Sequence, residues 1–543
     1  MEKPRHGGHL IAQALKNEGV RYLFTLSGGH IAPIYDGCVD LGIEIVDFRH
    51  EQAAAHAADG WARLTLGPGV AAVTAGPGLT DAVTGIANAF YANSPILVLS
   101  GKNPIVEFEM GSLQEMDQVT LVRSVTKWAK TCYETRALGD FTTTALRHAL
   151  SGRPGPAFLD VPLDVQFNSA SGVEVPRDSR TASKPLGDPD FVARAADLLN
   201  AAEHPVIFAG SGVRWSGAHD ALAELAEVTK FPVFLNSLGR GSLSPRHPSC
   251  FAAARKFALQ DCDVLLALGV DWDFRLGFGR KNINPEAKVI QVDVDGVHIG
   301  RNRPVDVGIV GDPGRVIGQL LAAGFGRPEE PDWTERVRQE ERRMQAKAQE
   351  GMESDAVPIH PQRFAREIRD FLDPDAIVVG DGGDIVGISA SIIPANGPGQ
   401  WLDPGPFGCL GVGPSFAIAA RLAHPGKQVA VVYGDGSFGL NAMEYDTAIR
   451  KRLPFVGIIG NDGAWGQIKV AQEALYGPGN APAAVLGDSP YERMVEGLGG
   501  YGERVEKPNE IRPALERAFD AGVAACVNVI VDPSLMQRSS YLG

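Results

Sequence analysis

Short apolar runs alternate along almost the whole chain with longer stretches whose apolar residues recur at helical spacing. In the first third, 43–48, 70–74, 96–100 and 157–161 read as buried strands, and 52–63 and 80–91 as helices. The rhythm returns at 205–209, 233–235, 264–268 and 288–292, and again at 376–379, 429–433, 455–459 and 527–531. Continuous apolar runs separated by helices predict parallel sheets covered on both faces. The fold class is α/β, with three parallel-sheet domains at 1–178, 189–326 and 359–531 and a C-terminal arm over 532–543. The charged segment PDWTERVRQEERRMQAKAQEGMESD reads as an exposed helical linker before the third domain. No short solenoid-type repeat is present.

Composition narrows the class. Of 543 residues, 44% are hydrophobic and 21% charged, which is ordinary for a globular chain. A net charge of -14 without a long basic run gives no electrostatic footprint for nucleic acid. The six cysteines are scattered without a CxxC pair, so neither a disulfide framework nor a zinc site is expected. No signal-peptide core, membrane-length apolar run, peroxisomal tripeptide or prenylation box is read, and a cytoplasmic protein is the expectation.

Two motifs carry chemistry. In VAVVYGDGSFG an apolar strand ends at Gly434, Asp435, Gly436 and Ser437, and a helix follows. A second strand ends at Asn461 and Asp462, 27 residues after Asp435. Both ends fall at the carboxyl edge of one sheet, where open α/β folds bind ligands. Glycine amides and a helix N-terminus suit a diphosphate, and Asp435 and Asp462 offer oxygen ligands for Mg²⁺. A Gly-Asp-Gly triplet alone is also a common turn; the 27-residue interval is what adds meaning. The other motif is FRHEQAAAHAADGWAR, where Glu51 opens an alanine-rich helix. An acid favoured by the helix dipole is the bland reading there.

Together these motifs resemble the thiamine-diphosphate-dependent enzymes of the acetolactate synthase and benzaldehyde lyase superfamily. The resemblance implies a pyrimidine-binding first domain, a Rossmann-like middle domain and a diphosphate-binding third domain. It implies that Asp435, Asp462 and the backbone carbonyl of Ala464 ligate Mg²⁺, with Asn461 beside the diphosphate; many relatives carry Asn where Asp462 stands. It implies that Glu51 hydrogen-bonds the aminopyrimidine, and burial should raise its pKa. The stretch GPFGCLGVGPSFAIAARLA supplies Gly408 for close backbone approach and Leu410 as the apolar wedge beneath the cofactor. In this family the two motifs meet across subunits, so a homodimer or homotetramer is implied.

Three branches of the superfamily compete. The acetolactate synthase branch shares GGxxxPIYD and Gln114. The benzaldehyde lyase branch shares the His30 and Gln114 pair, but the positions of its bulky pocket residues hold Leu163, Val386 and Pro404 here. The branch of oxalyl-CoA decarboxylase and 2-hydroxyacyl-CoA lyase shares GRGSLSPRHPSCFAAARKFAL and IQVDVDGVHIGRNRPVDVGIVGD. Oxalyl-CoA decarboxylases carry Tyr-Glu where this chain has Leu113-Gln114, and a Ser/Arg arm where it has Ser539 and Tyr541. The expectation is therefore a 2-hydroxyacyl-CoA lyase releasing formyl-CoA and an aldehyde or ketone. Alternatives are a pyruvate-using acetolactate synthase, an aldehyde carboligase, oxalyl-CoA decarboxylase, or a non-catalytic relative, which Glu51 argues against.

On this reading Gln114 and His30 face substrate oxygens, Gly29 and Gly387 leave room for an acyl-CoA, and Ser539 and Tyr541 belong to a lid. For His30 a backbone-bonded helix-start histidine, and for the last residues a frayed end, stand as the other readings. In the middle domain Gly212, Arg214, Arg255, Asp293 and Asp312 are candidates for an ADP site, or less readily FAD.

Overall fold

The computed structural model describes residues 5–177, 180–324 and 331–536. Three six-stranded sheets, parallel throughout, account for the three blocks. The first sheet contains β1 (Tyr22–Thr25), β2 (Glu44–Asp47), β3 (Gly69–Val73), β4 (Ile96–Lys102), β5 (Trp128–Thr131) and β6 (Ala157–Pro162), in the order β2-β1-β3-β4-β6-β5. The middle sheet contains β7 (Pro205–Ala209), β8 (Val233–Leu235), β9 (Cys250–Phe251), β10 (Val264–Leu268), β11 (Lys288–Asp293) and β12 (Val307–Val310), in the order β12-β11-β10-β7-β8-β9. The third contains β13 (Ile377–Asp381), β14 (Trp401–Leu402), β15 (Val429–Gly434), β16 (Val456–Asn461), β17 (Tyr501–Val505) and β18 (Ala525–Ile530), in the order β14-β13-β15-β16-β18-β17.

The first and third sheets share one topology. In each, strand order reverses beside the first strand, between β1 and β3 and between β13 and β15. Loops leaving the two strands at such a point diverge to opposite faces and leave a crevice at the carboxyl edge. His30 and Thr74 flank that crevice in the first sheet; Asp381 and Asp435 flank it in the third.

Small residues join these two domains. The helix Glu51–Thr65 buries Ala53, Ala54, Ala55, Ala57, Ala58 and Ala62, and it lies along the helix Gly413–Ala423 with its buried Ala417, Ala419 and Ala420. A Cβ at Gly60 would sit 2.9 Å from the Phe416 ring, so glycine is what permits this approach. Alanine also favours helix, so composition, secondary structure and packing agree here.

One guanidinium binds the end of that helix to the third domain. Arg63 makes a bidentate pair with Asp59, Nε to Oδ1 and Nη2 to Oδ2 at 2.6 Å each, with both side chains fully buried. Asn88 donates to the same carboxylate at 2.9 Å, and Arg63 Nη1 donates to the Asp403 carbonyl at 2.5 Å. The middle domain reaches the same place: Arg214 Nη2 donates to the carbonyls of Arg63 and Leu64 at 2.8 and 2.9 Å, capping the helix.

The linker helix, Asp332–Met352, is less exposed than its charge suggests. Its first half is anchored to the middle domain: Trp333 Nε1 donates to the Pro205 carbonyl at 3.1 Å, and buried Glu341 accepts from the Ala252 and Ala254 amides. Among the described residues no helix is long and apolar enough to cross a membrane.

Removing one partner of a buried ion pair leaves the other uncompensated. Asp59→Ala should therefore cost about 3–5 kcal/mol, read as a lowered urea midpoint. A midpoint close to wild type would show that Arg63 is held by its carbonyl partners alone.

Candidate active site

The carboxyl edge of the first sheet gathers the residues singled out as catalytic. Glu51 opens its helix directly after β2 and is 7% exposed. Burial raises its carboxyl above the ordinary range, with the Asp81 carboxylate adding to the effect. His30 sits in the short 3₁₀ turn Gly29–Ile31 after β1 and is 8% exposed. Burial lowers its pKa against the pull of Glu107, which favours the neutral ring. Gln114 lies on a loop with φ 62, a left-handed backbone unusual for a residue with a side chain.

Thr74, which sequence reasoning missed, is the common neighbour. His30 Nδ1 lies 3.1 Å from Thr74 Oγ1, and that hydroxyl donates to Gln114 Oε1 at 3.3 Å. A Cβ at Gly78 would lie 2.7 Å from Thr74 Cγ2 and 3.3 Å from Glu51 Oε1. His30 and Gln114 are thus joined through one threonine, with Glu51 on the other side of Gly78. Gln118, also missed, fixes the loop beneath them. Its Oε1 accepts from the Gly76 amide at 2.9 Å, and its Nε2 donates to the Gly101 carbonyl at 2.9 Å and to Asp160 at 2.7 Å. Burial pushes Asp160 up to about 6 despite Lys102 at 3.3 Å.

The third sheet gathers the second group. Gly434 ends β15, and Asp435 begins the helix Asp435–Asn441. Asp435 is pushed up to about 7, first by burial and then by Asp462, whose own carboxyl is also raised by burial. Asp435 Oδ1 accepts from the Gly436 amide at 3.0 Å, while buried Oδ2 finds no partner among the described residues. The Ala464 amide lies against Asp462. Two buried carboxylates this close repel, and a divalent cation is the partner that would satisfy both. The donor set and the unpartnered oxygen therefore fit Mg²⁺. Gly434 and Gly436 keep the turn free of side chains; a Cβ at Gly436 would meet the Trp465 ring at 2.5 Å.

Neighbouring candidates hold this turn in shape. Ser437 Oγ lies within hydrogen-bond reach of the carbonyls of Asp381 and Gly434, the latter at 2.9 Å, and its single proton serves one of them at a time. Asn461 Oδ1 accepts from the Gly463 amide at 3.0 Å, and its Nδ2 donates to Asn528 at 3.1 Å. The glycine loop is tied by Asp381, another residue the sequence reading missed. It ends β13, is fully buried, and accepts from the amides of Gly411 and Gly413 at 2.9 and 2.7 Å. The signal was present in VVGDGGD, a second strand-end Gly-Asp-Gly. Gly408 takes φ 68, and Leu410 beside it is half-buried. Cβ atoms at Gly29 and Gly387 would meet nothing within 4 Å, so both leave open space. Ser539 and Tyr541 lie outside the described residues.

The middle-domain candidates have other partners. Gly212 packs against Gly269, its Cβ position 2.6 Å from Gly269 Cα, which closes the edge between β7 and β10. Arg214 caps the first-domain helix, as described. Asp312 caps the helix Pro313–Ala322 and accepts from Ser216 Oγ at 2.8 Å. Asp293 pairs with Arg153 of the first domain at 3.3 Å, and Arg153 also meets Asp271 at 2.9 Å. Arg255 is exposed. Four of the five thus have work inside the chain, which position in the sequence alone could not reveal.

A link between the first and third domains has a testable consequence. Glu444 is buried and accepts from the Arg49 amide at 3.0 Å, two residues before Glu51. Burial pushes it up to about 7, against the lowering effect of Thr447 and of the Arg49 amide. An unfolded glutamate releases its proton near about 4.3. The folded chain therefore holds an extra proton between these values, and stability from this group is lost as pH rises through about 7. Glu444→Gln should flatten that part of the curve: wild-type urea midpoints should fall relative to the variant from about pH 5 to about pH 7. Parallel curves would contradict this assignment.

Comparison with known proteins agrees with this geometry. Residues 5–121 match the model of the thiamine pyrophosphate enzyme N-terminal TPP binding domain, 192–320 the central domain, and 381–529 the C-terminal TPP binding domain. A probable acetolactate synthase of Mycobacterium bovis is 42% identical over 535 residues, covering 98% of this chain and 96% of that protein. The human 2-hydroxyacyl-CoA lyase 2 is 35% identical over 552 residues, covering 93% and 86%. A probable acetolactate synthase large subunit of Methanocaldococcus jannaschii is 32% identical over 549 residues, covering 97% and 92%. With its three parallel-sheet domains and both sheet-edge clusters in place, the chain belongs to the thiamine-pyrophosphate-dependent enzymes, in the group that includes acetolactate synthases and 2-hydroxyacyl-CoA lyases.

Proposed function

We propose that this chain is a carboligase of the acetolactate synthase type, taking a 2-oxo acid such as pyruvate and joining its acyl unit to a second carbonyl. The observation that carries this reading is the 42% identity, over 98% of the chain, to a protein described as a probable acetolactate synthase. It reverses the preference that local motifs suggest. A 2-hydroxyacyl-CoA lyase is the second reading, favoured by the AAARKFAL segment and by relatives of that name at 33–35% identity. Both readings use one site and one kind of chemistry, the making or breaking of a carbon–carbon bond beside a carbonyl.

When bound, thiamine diphosphate supplies a nucleophilic carbon and an electron sink for that bond. Asp435, Asp462 and the Ala464 carbonyl would hold Mg²⁺; Gly434, Gly436 and Asn461 would face the diphosphate; Gly408 and Leu410 would lie against the rings. Glu51 holds or shares a proton at its raised carboxyl, the property needed opposite an aminopyrimidine nitrogen. His30, kept neutral by burial, accepts or returns a proton at a substrate oxygen, and Gln114 hydrogen-bonds a second oxygen.

The working unit in this proposal is at least a homodimer. Among the described residues, no hydrogen bond or ion pair within one chain joins Glu51 to Asp435 or Asp462. A second copy would bring the two edges together.

With Mg²⁺ and thiamine diphosphate present, pyruvate, lactoyl-CoA, 2-hydroxyisobutyryl-CoA, oxalyl-CoA and benzoin should be offered separately. Pyruvate consumption with release of carbon dioxide and acetolactate is expected. Turnover of the hydroxyacyl-CoA esters alone, giving formyl-CoA, would overturn the first reading in favour of the second. Bound flavin in the absorbance of the purified protein would side with the synthase. Glu51→Gln should lower turnover by about a hundredfold or more. The same variant should still bind the Mg²⁺ diphosphate; unchanged turnover would refute its role.

A further inference from the structure

Thr74 has two polar partners and only one proton. Its hydroxyl lies 3.3 Å from Gln114 Oε1 and 3.1 Å from His30 Nδ1. An amide oxygen only accepts, so the hydroxyl proton goes to Gln114. Toward His30 the same oxygen can then only accept, which requires the hydrogen on Nδ1. A neutral imidazole carries one N–H, so the lone pair stands on Nε2. Among the described residues no hydrogen bond engages His30 Nε2 or Gln114 Nε2.

The surroundings hold Thr74 in this role. A Cβ at Gly28 would lie 2.3 Å from Thr74 Cβ, and one at Gly78 would lie 2.7 Å from its Cγ2, so two glycines admit the branched side chain. Gln114 is brought over by its left-handed backbone, φ 62, and rests on Gly76, whose Cβ would come within 2.9 Å of Gln114 Cβ. A non-glycine residue kept in that region points to a functional constraint.

We infer that Thr74 is a positioning residue that sets the tautomer of His30, leaving Nε2 as a proton acceptor and the Gln114 amide NH₂ as a donor toward substrate oxygens. This rests on the substrate-facing roles proposed above for His30 and Gln114. The pair then presents one acceptor and one donor, which suits a product with a hydroxyl beside a carbonyl or carboxylate oxygen, as the proposed carboligation forms. The opposite polarity is equally definite: with the amide turned over, Gln114 would donate to Thr74, Thr74 to His30 Nδ1, and Nε2 would carry the hydrogen.

Nitrogen NMR of apoprotein labelled with ¹⁵N-histidine decides between them, with His30→Asn identifying the resonance. The expected wild-type spectrum shows Nδ1 protonated and Nε2 bare. Thr74→Ser should keep that tautomer, and Thr74→Val should lose it. In the loaded enzyme, on whichever offered substrate reacts, Thr74→Val should lower kcat by about tenfold to a hundredfold with KM changed by less than about threefold, and Thr74→Ser should restore kcat. A wild-type spectrum with hydrogen on Nε2, or a Thr74→Val variant with unchanged tautomer, would overturn the inference. The wild-type spectrum suffices if Thr74→Val does not fold. It needs neither cofactor nor substrate, so failure of the proposed reaction registers separately, as no turnover of the offered compounds.

Discussion

Two carboxylates buried beside one another impose the constraint from which the rest follows. Asp435 and Asp462 stand at adjacent strand ends, each raised by burial, and one Asp435 oxygen has no partner among the described residues. Like charges in a low-dielectric place are costly unless a cation joins them. Mg²⁺ with thiamine diphosphate would offset that cost: the cation would join the two carboxylates, and the glycine turns would leave room for the phosphates. The supporting residues serve this geometry. Asp381 and Ser437 tie β13 to β15, and Asn461 shapes the turn that presents Asp462.

The first sheet repeats the topology with different chemistry. Its switch point between β1 and β3 carries His30 and Thr74, with Glu51 after β2, where the third sheet carries Asp381 and Asp435. One edge is built around carboxylate oxygens that fit a divalent cation. The other has a histidine whose pKa burial lowers, an amide, and a carboxyl whose pKa burial raises. In the middle sheet the equivalent edge is closed by Gly212 against Gly269 and met by Arg153. The topology shared by the first and third sheets thus carries two different clusters, decided by the side chains at a few strand ends, while the middle sheet follows another strand order.

Legibility in the sequence followed burial. Most strands legible in the sequence were central and largely apolar, such as β4, β10 and β15, although the edge strand β2 was read as well. Missed strands included β5 and β17, which lie at sheet edges, are half-exposed and carry polar residues. β1 is central but only four residues long, so periodicity had little to register. Glu51, Asp435 and Asp462 were legible because their motifs are local. Thr74 and Gln118 were not, because their meaning lies in partners distant in sequence, such as Gln118 with Asp160, and Asp381 carries a local Gly-Asp-Gly that by itself reads as a turn. The partners of Arg214 and Asp312, a helix end in the first domain and the Ser216 hydroxyl, are likewise distant in sequence.

Calorimetric titration of thiamine diphosphate into the apoprotein, with and without Mg²⁺, tests the central claim most directly. The account predicts saturable binding, one molecule per chain, that requires Mg²⁺ and disappears in Asp435→Ala. Binding that is indifferent to Mg²⁺ and survives Asp435→Ala would contradict it.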